Sequence, residues 1–310
     1  MSIVMRDYHW NEDFETVREF LIEIWNAGPL YRNWIPSMFE NLKFGPGGLE
    51  YQDKDDEYIK IWEISRNGKD QDSRIIAVSI LKPSGMCWIN IHPEFLDYEK
   101  HIILWAVEQI KNTKPDTDDS KSLRLVVEDD DSRRIALLKS LGFKKGEIEG
   151  IDQVRPPDKE VLGYGELVGF TIRNAEIIDE FSQYRDVQMA VFPHIKSMSK
   201  RILEIYSNAS FYHPDLDIVA VSTDGVFAAF CTGRIDPVSR IAELEPVGTH
   251  PNYRKKGLAK ACILECLKRL QRYRPAAILI LGAAPTDGAN RLYESVGFEN
   301  MGERYIWTME

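Results

Sequence analysis

The residues with the clearest chemical potential lie between Glu243 and Tyr273, in ELEPVGTHPNYRKKGLAKACILECLKRLQRY. Arg254, Lys255 and Lys256 stand directly before Gly257, Leu258 and Ala259, giving the pattern R-x-x-G-x-A. An apolar-patterned stretch precedes this turn as a strand, and an amphipathic helix follows it to about Tyr273. The first amides of a helix have no partner within the helix and point outward at its positive end. A glycine there lets an anion approach the backbone closely. Three cations in front of such amides suit a pyrophosphate. The same run also reads as a solvated basic turn; the strand before it and the helix after it favour a site. Neither G-x-x-x-x-G-K-[ST] nor G-x-G-x-x-G occurs here. On the strand, Glu243 and Glu245 share one face, because side chains alternate with period two.

The elements that must position these groups fall into two similar series. The first predicts a strand at Ile3–Arg6 and a helix at Phe14–Trp25. A break follows at Gly45–Gly48. Strands are then expected at Tyr58–Ser65, Arg74–Leu81 and Met86–Ile91, with a hairpin loop at Asn67–Gly68. A helix at Tyr98–Lys111, a loop at Lys114–Ser120, a strand at Leu123–Val127, a helix at Ser132–Leu141 ending at Gly142 and a final strand region after Phe143 complete the series. A Pro- and charge-rich linker, Gln153–Gly165, separates the series and divides the chain into 1–155 and 156–310. The second series predicts a strand at Phe170–Arg173 and helices at Ile177–Val191 and Ile195–Tyr206. Strands at Asp217–Ser222 and Val226–Ile235 flank a tight turn at Thr223–Gly225. The focal strand, turn and helix come next. A strand at Ala276–Leu281, a helix at Asn290–Val296 that stops at Gly297 and a closing strand at Arg304–Met309 finish it. INIHPEF aligns with VGTHPNY, and LLKSLGF with LYESVGF, so the chain reads as a duplicated domain. The fold class is α+β, a mixed sheet with flanking helices in each half.

Composition bounds the function. The chain of 310 residues has 44 % hydrophobic and 28 % charged residues and a net charge of −10. That is ordinary for a globular protein, and the negative balance argues against nucleic acid as the main partner. No apolar run suits a membrane span, and the start of the chain lacks a signal-peptide pattern; a cytoplasmic location is expected. The cysteines Cys87, Cys231, Cys262 and Cys266 form no ligand motif and read as small buried hydrophobes. The histidines are scattered, so no metal is expected.

LEPVGTHPNYRKKGLA followed by RLYESVGF resembles the GNAT superfamily of acyl-CoA N-acyltransferases, over essentially the whole second half. The first half shares only the outline. The resemblance implies acetyl-CoA as co-substrate, with Arg254, Lys255, Lys256, Gly257, Leu258 and Ala259 around its pyrophosphate. It implies a strand splayed from its neighbour, where Val247, Gly248 and Thr249 run beside the pantetheine arm. It also implies Tyr293 as the acid that protonates the leaving thiolate; the plainer reading is that Tyr293 packs on the sheet. An Asn that often begins this helix in the family falls at Thr286, which shifts Asn290 by a turn.

Acylation of an amine by a thioester also needs a proton acceptor. Glu243 or Glu245 is the candidate base, and either could instead be a surface charge. In the first half, Leu96, Asp97, Glu99 and His101 stand in register with Arg254, Lys255, Gly257 and Ala259, and Leu138 with Tyr293. Acid and bulk at that place predict no coenzyme binding by the first half, which would shape the acceptor pocket. The expected reaction is acetyl transfer from acetyl-CoA to a primary amine of a small molecule or peptide. The alternatives are a non-catalytic acyl-CoA sensor and a structural protein. The oligomeric state is open.

Overall fold

The computed structural model describes residues 2–27, 33–45, 58–65, 73–112 and 122–309. The Asn67–Gly68 and Lys114–Ser120 loops, and the break at Gly45–Gly48 beyond Gly45, lie outside these residues. The chain forms two compact units: Met1–Phe39 with Glu50–Gly150 and Gly302–Glu310, and Glu40–Leu49 with Ile151–Met301.

The first unit contains β1 (Ser2–Asp7), α1 (Trp10–Asn26), the start of α2 (Pro36–Phe44), β2 (Ile59–Ser65), β3 (Ser73–Leu81) and β4 (Met86–Ile91). It continues with α3 (Glu99–Asn112), β5 (Leu123–Glu128), α4 (Ser132–Ser140) and the beginning of β6 (Lys144–Arg155). β1 to β4 are sequentially antiparallel, and β4 then runs parallel to β5. The next neighbour of β5 is the far end of the chain: β12 (Glu299–Met309) pairs with it antiparallel from Arg304↔Glu128 to Met309↔Leu123. Ile76, Ile91, Ile102, Ile103, Leu125, Val127, Leu138 and Trp307 are among the residues that fill this core. The helix predicted at Phe14 begins earlier, at Trp10, with the Asp13 carboxylate accepting from the His9 amide at 2.8 Å. α2 has no counterpart among the elements expected from the sequence.

The second unit contains β7 (Phe170–Asn174), α5 (Phe181–Val191), α6 (Lys200–Tyr206), β8 (Tyr212–Ser222), β9 (Phe227–Ile235) and β10 (Ile241–Thr249). α7 (Leu258–Leu270), β11 (Ala277–Ala283) and α8 (Asp287–Glu294) follow. β7 to β10 are antiparallel, and β10 runs parallel to β11, repeating the order of the first unit. Here the neighbour of β11 is the second part of β6, paired antiparallel from Ile151↔Ala283 to Arg155↔Ile278. Residues 153–155, read above as the start of the linker, are therefore strand. Their side chains explain why: Gln153 and Arg155 are buried despite their polarity.

α7 packs its stripe of Leu258, Cys262, Ile263, Cys266, Leu267 and Leu270 against the sheet, at the spacing of one helical face. All four cysteines are buried and free. The two helices before β8 are shorter than their apolar patterns, because α6 starts where Ser199 caps it by accepting from the Ile202 amide. The tight turn before β9 closes on Gly225, with φ of 84° and its amide on the Ser222 carbonyl. Among the described residues no helix is long and apolar enough to cross a membrane.

Candidate active site

The basic turn is built in three steps. The His250 imidazole Nδ1 accepts from the Asn252 amide at 3.2 Å and starts a short 3-10 turn, Pro251–Tyr253. Arg254 is extended, and Lys255 then takes a left-handed φ of 63°. Gly257 does the same at φ 78° and serves as N-cap of α7 with no side-chain cap. A left-handed φ is uncommon for a residue with a Cβ, so the glycine is required by the backbone as well as by access. The first intrahelical bond runs from Ala261 N to Gly257 O, 3.0 Å. The amides of Leu258, Ala259 and Lys260 thus face outward, as at any helix start. A Cβ built on Gly257 would meet nothing within 4 Å. The turn therefore opens onto free space, and Arg254, Lys255 and Lys256 stand exposed around it. The Lys256 ammonium lies 5.4 Å from the centres of both the Phe170 and Tyr253 rings.

The strand leading to this turn separates from its neighbour. β10 pairs with β11 only at Ile241↔Ala277, Ala242↔Ile278 and Glu243↔Leu279. Beyond Glu243 it stays on β9, with a bulge between Leu244 and Val247. The His250 amide donates to Ala228 O at 2.9 Å on the β9 side. By the alternation of an antiparallel ladder, Val247 and Thr249 direct their backbone groups to the other side, into the gap. Gly248 has a packing role: a Cβ there would lie 2.6 Å from both Phe230 and Val191.

At the fork stand the acid–base candidates. Glu243 does not face an open cleft. It is 4 % exposed, and Arg234, opposite it on β9, donates from Nη1 to its Oε1 at 3.1 Å. Glu245 reaches solvent as a residue, but protein crowds around its carboxyl. Loss of water around its carboxyl pushes it up to about 7, opposed by the Arg234 cation and reinforced by Glu243. Tyr293 is nearly buried in the core, and that burial, with Glu245 among the neighbouring charges, pushes its phenol up. The tyrosine is therefore neutral and carries a proton. Its helix is fixed from β6. Arg155 donates to the carbonyls of Val296 at 3.0 Å, Lys159 at 2.9 Å and Glu160 at 2.8 Å. Gln153 donates to the Asn290 side-chain oxygen at 3.2 Å. α8 begins at Thr286, whose hydroxyl accepts from Ala289 N, so Asn290 lies inside the helix instead of opening it.

Several groups at this site, Arg234 and Asp217 with their hydroxyl partners, were not singled out from the sequence. Arg234 is buried in β9 and donates from Nε to the Tyr206 hydroxyl at 3.0 Å. Behind it, the Asp217 carboxylate accepts from Thr232 at 2.8 Å and from Tyr184 at 3.3 Å. Burial pushes Asp217 up to about 6 against these hydrogen bonds. The signal was a single arginine in the otherwise buried, mostly apolar run FAAFCTGRI.

A coenzyme A pyrophosphate fits the chemistry of this donor set: open space at Gly257, outward amides, an uncapped helix and adjacent cations. Residues 181–298 match the model of the Acetyltransferase (GNAT) family. Among proteins of curated function, none matches this chain in sequence. In fold, the chain is similar to a tandem GNAT protein from the clavulanic acid biosynthesis pathway, with 15 % identity, TM-score 0.68, and 100 % and 98 % of the two chains covered. It is also similar to a GCN5-related N-acetyltransferase from Sphaerobacter thermophilus, with 15 % identity, TM-score 0.67, and coverage of 99 % and 95 %. A GNAT-family acetyltransferase from Colwellia psychrerythraea gives 12 % identity, TM-score 0.58, and 99 % of each chain.

Proposed function

We propose, for a chain with a GNAT-type fold throughout and a GNAT-family domain at residues 181–298, that it is an acyl-CoA-dependent N-acetyltransferase. Its second unit carries the chemistry. Acetyl-CoA supplies an activated acetyl thioester, which an amine attacks with displacement of the thiolate. Arg254, Lys255 and the amides of Gly257 to Ala259 hold the pyrophosphate, because the helix start is uncapped and open. Val247 and Thr249 present backbone groups along the gap beside β11. Glu245 takes the proton of the incoming ammonium, directly or through water, with an affinity near neutral. Tyr293 holds a proton for the leaving sulfur. The acceptor is a primary amine of a small molecule or peptide, and the carboxylates at the fork favour a cationic one.

One observation carries this reading: the strand that bears Glu245 parts from its parallel neighbour and leads to an uncapped, open helix start, with a nearly buried tyrosine in the field of Glu245. The test is release of free thiol from acetyl-CoA across a panel of amines, run beside calorimetry of coenzyme A binding. Turnover of at least one amine supports the enzyme. Binding without turnover of any amine favours a sensor, and neither binding nor turnover favours a structural role.

A further inference from the structure

Two glutamates two residues apart on one strand would ordinarily compete for the same proton. The structure treats them differently, and the difference comes from β9. Arg234 and Glu243 are direct cross-strand partners. Their side chains are 7 % and 5 % exposed and joined at 3.1 Å. The guanidinium is also fixed by the Tyr206 hydroxyl at 3.0 Å, and the rings of Tyr206 and Phe211 lie 5.5 and 5.1 Å from it. An arginine so enclosed keeps one orientation and its charge. We infer that Arg234, clamped by Tyr206, is a positioning residue that holds Glu243 in a buried ion pair and leaves Glu245 as the sole proton acceptor of the site. This rests on the acetyltransferase reading above and adds which glutamate acts and what makes it act.

The charges that face Glu245 are Arg234 from β9 and Glu243 from β10, while the neutral Tyr293 phenol of α8 lies in the field of Glu245. Arg234 lowers its proton affinity and Glu243 raises it. Loss of either partner therefore acts on Glu245 with opposite sign, and only a pair that tunes the working base carries that shift into the pH dependence of kcat/KM. Behind Arg234, Asp217 also lies in its field from β8, so the cation serves carboxylates on both sides of β9.

The experiment follows the side-chain carboxyl carbon of Glu245 by NMR in the full-length protein labelled with 13C-glutamate, with Glu245→Gln identifying the signal. Arg234→Gln should move its titration up by about one unit and Glu243→Gln down by about one unit. Arg234→Lys, which keeps a cation, should leave it near wild type. If Arg234→Gln does not fold, Tyr206→Phe, which frees the guanidinium, and Glu243→Gln carry the test. A titration unmoved by the soluble variants, or moved in the same direction by loss of the cation and loss of the carboxylate, overturns the inference. The pH dependence of kcat/KM for any amine that is turned over should shift in parallel, with the acid limb rising through pH values near 7 in the wild type. Opposite NMR shifts without thiol release from any amine would leave the clamp standing and sink the enzyme reading. Thiol release with an unmoved titration would do the reverse.

Discussion

The turn before α3 and the turn before α7 start alike and end differently. His92 and His250 each accept from the amide two residues on, at 3.2 Å, and each begins a 3-10 turn at a proline. The second unit then reaches Gly257 and open space. The first reaches Glu99, which is 0 % exposed, and Arg134 Nε donates to its carboxylate at 2.5 Å, with Arg133 on the other oxygen. The first unit thus carries its own anion near the start of its helix, with its own cations around it.

The strands before the two turns repeat the contrast. Ile91 of β4 stands where Thr249 stands in β10. Its amide donates to the Asn33 side-chain oxygen at 3.0 Å, and its carbonyl accepts from the Asn33 nitrogen at 3.4 Å. The backbone groups that β10 presents to the gap are satisfied in β4 by an internal carboxamide. Counted back in sequence from the His-Pro pair, Cys87 and Gly85 fall where Glu245 and Glu243 fall, and buried Leu138 falls where Tyr293 falls before the Gly-Phe pair. The two units thus share an order of elements, but these polar groups are closed internally in the first and left open in the second.

Four substitutions test that contrast. Gly257→Glu should weaken coenzyme A binding more than a hundredfold by calorimetry, the equivalent of roughly 3 kcal/mol, since it adds a strained Cβ and a carboxylate at the proposed pyrophosphate site. Undiminished affinity would break the contrast outright. Glu99→Gln should leave coenzyme affinity and a stoichiometry of one per chain unchanged, yet lower stability in urea by about 3 kcal/mol, because buried Arg134 loses its closest carboxylate. A stability change within 0.5 kcal/mol would show that Glu99 is dispensable. Gly248→Ala should cost about 2 kcal/mol by overpacking on Phe230 and Val191; a neutral thermal melt would contradict that packing. The smallest effect is expected of Asn33→Ala, about 1 kcal/mol for the two hydrogen bonds to Ile91. Gain of a second coenzyme site in this variant would mean that Asn33 alone closes the first unit.

Much of this was legible from residue types. The period-two strands, the glycine-stopped helices, the paired His-Pro turns and the R-x-x-G-x-A run are local patterns, and local backbone geometry obeys them. Gly142, Gly225, Gly257 and Gly297 all sit at positive φ, where the sequence had placed a helix stop, a turn or a helix start. The closing strand at the chain's end was equally readable as a strand, but not its partner. Pairing with β5 depends on register and on the burial of Trp307 against residues nearly two hundred positions earlier.

The sequence by itself determined the order of elements, the basic helix start and the absence of its counterpart in the first series, because each depends on neighbours within a few residues. It also placed Glu243 and Glu245 on one face, since strand alternation requires it. Only the tertiary structure separated the two. One glutamate lies opposite an arginine that is buried, held by a tyrosine from α6 and enclosed by rings, while the other has no such partner opposite it among the described residues and reaches solvent past a crowded carboxyl. Proton affinity is set by the charges and the water around a group, and these come from strands and helices distant in the chain.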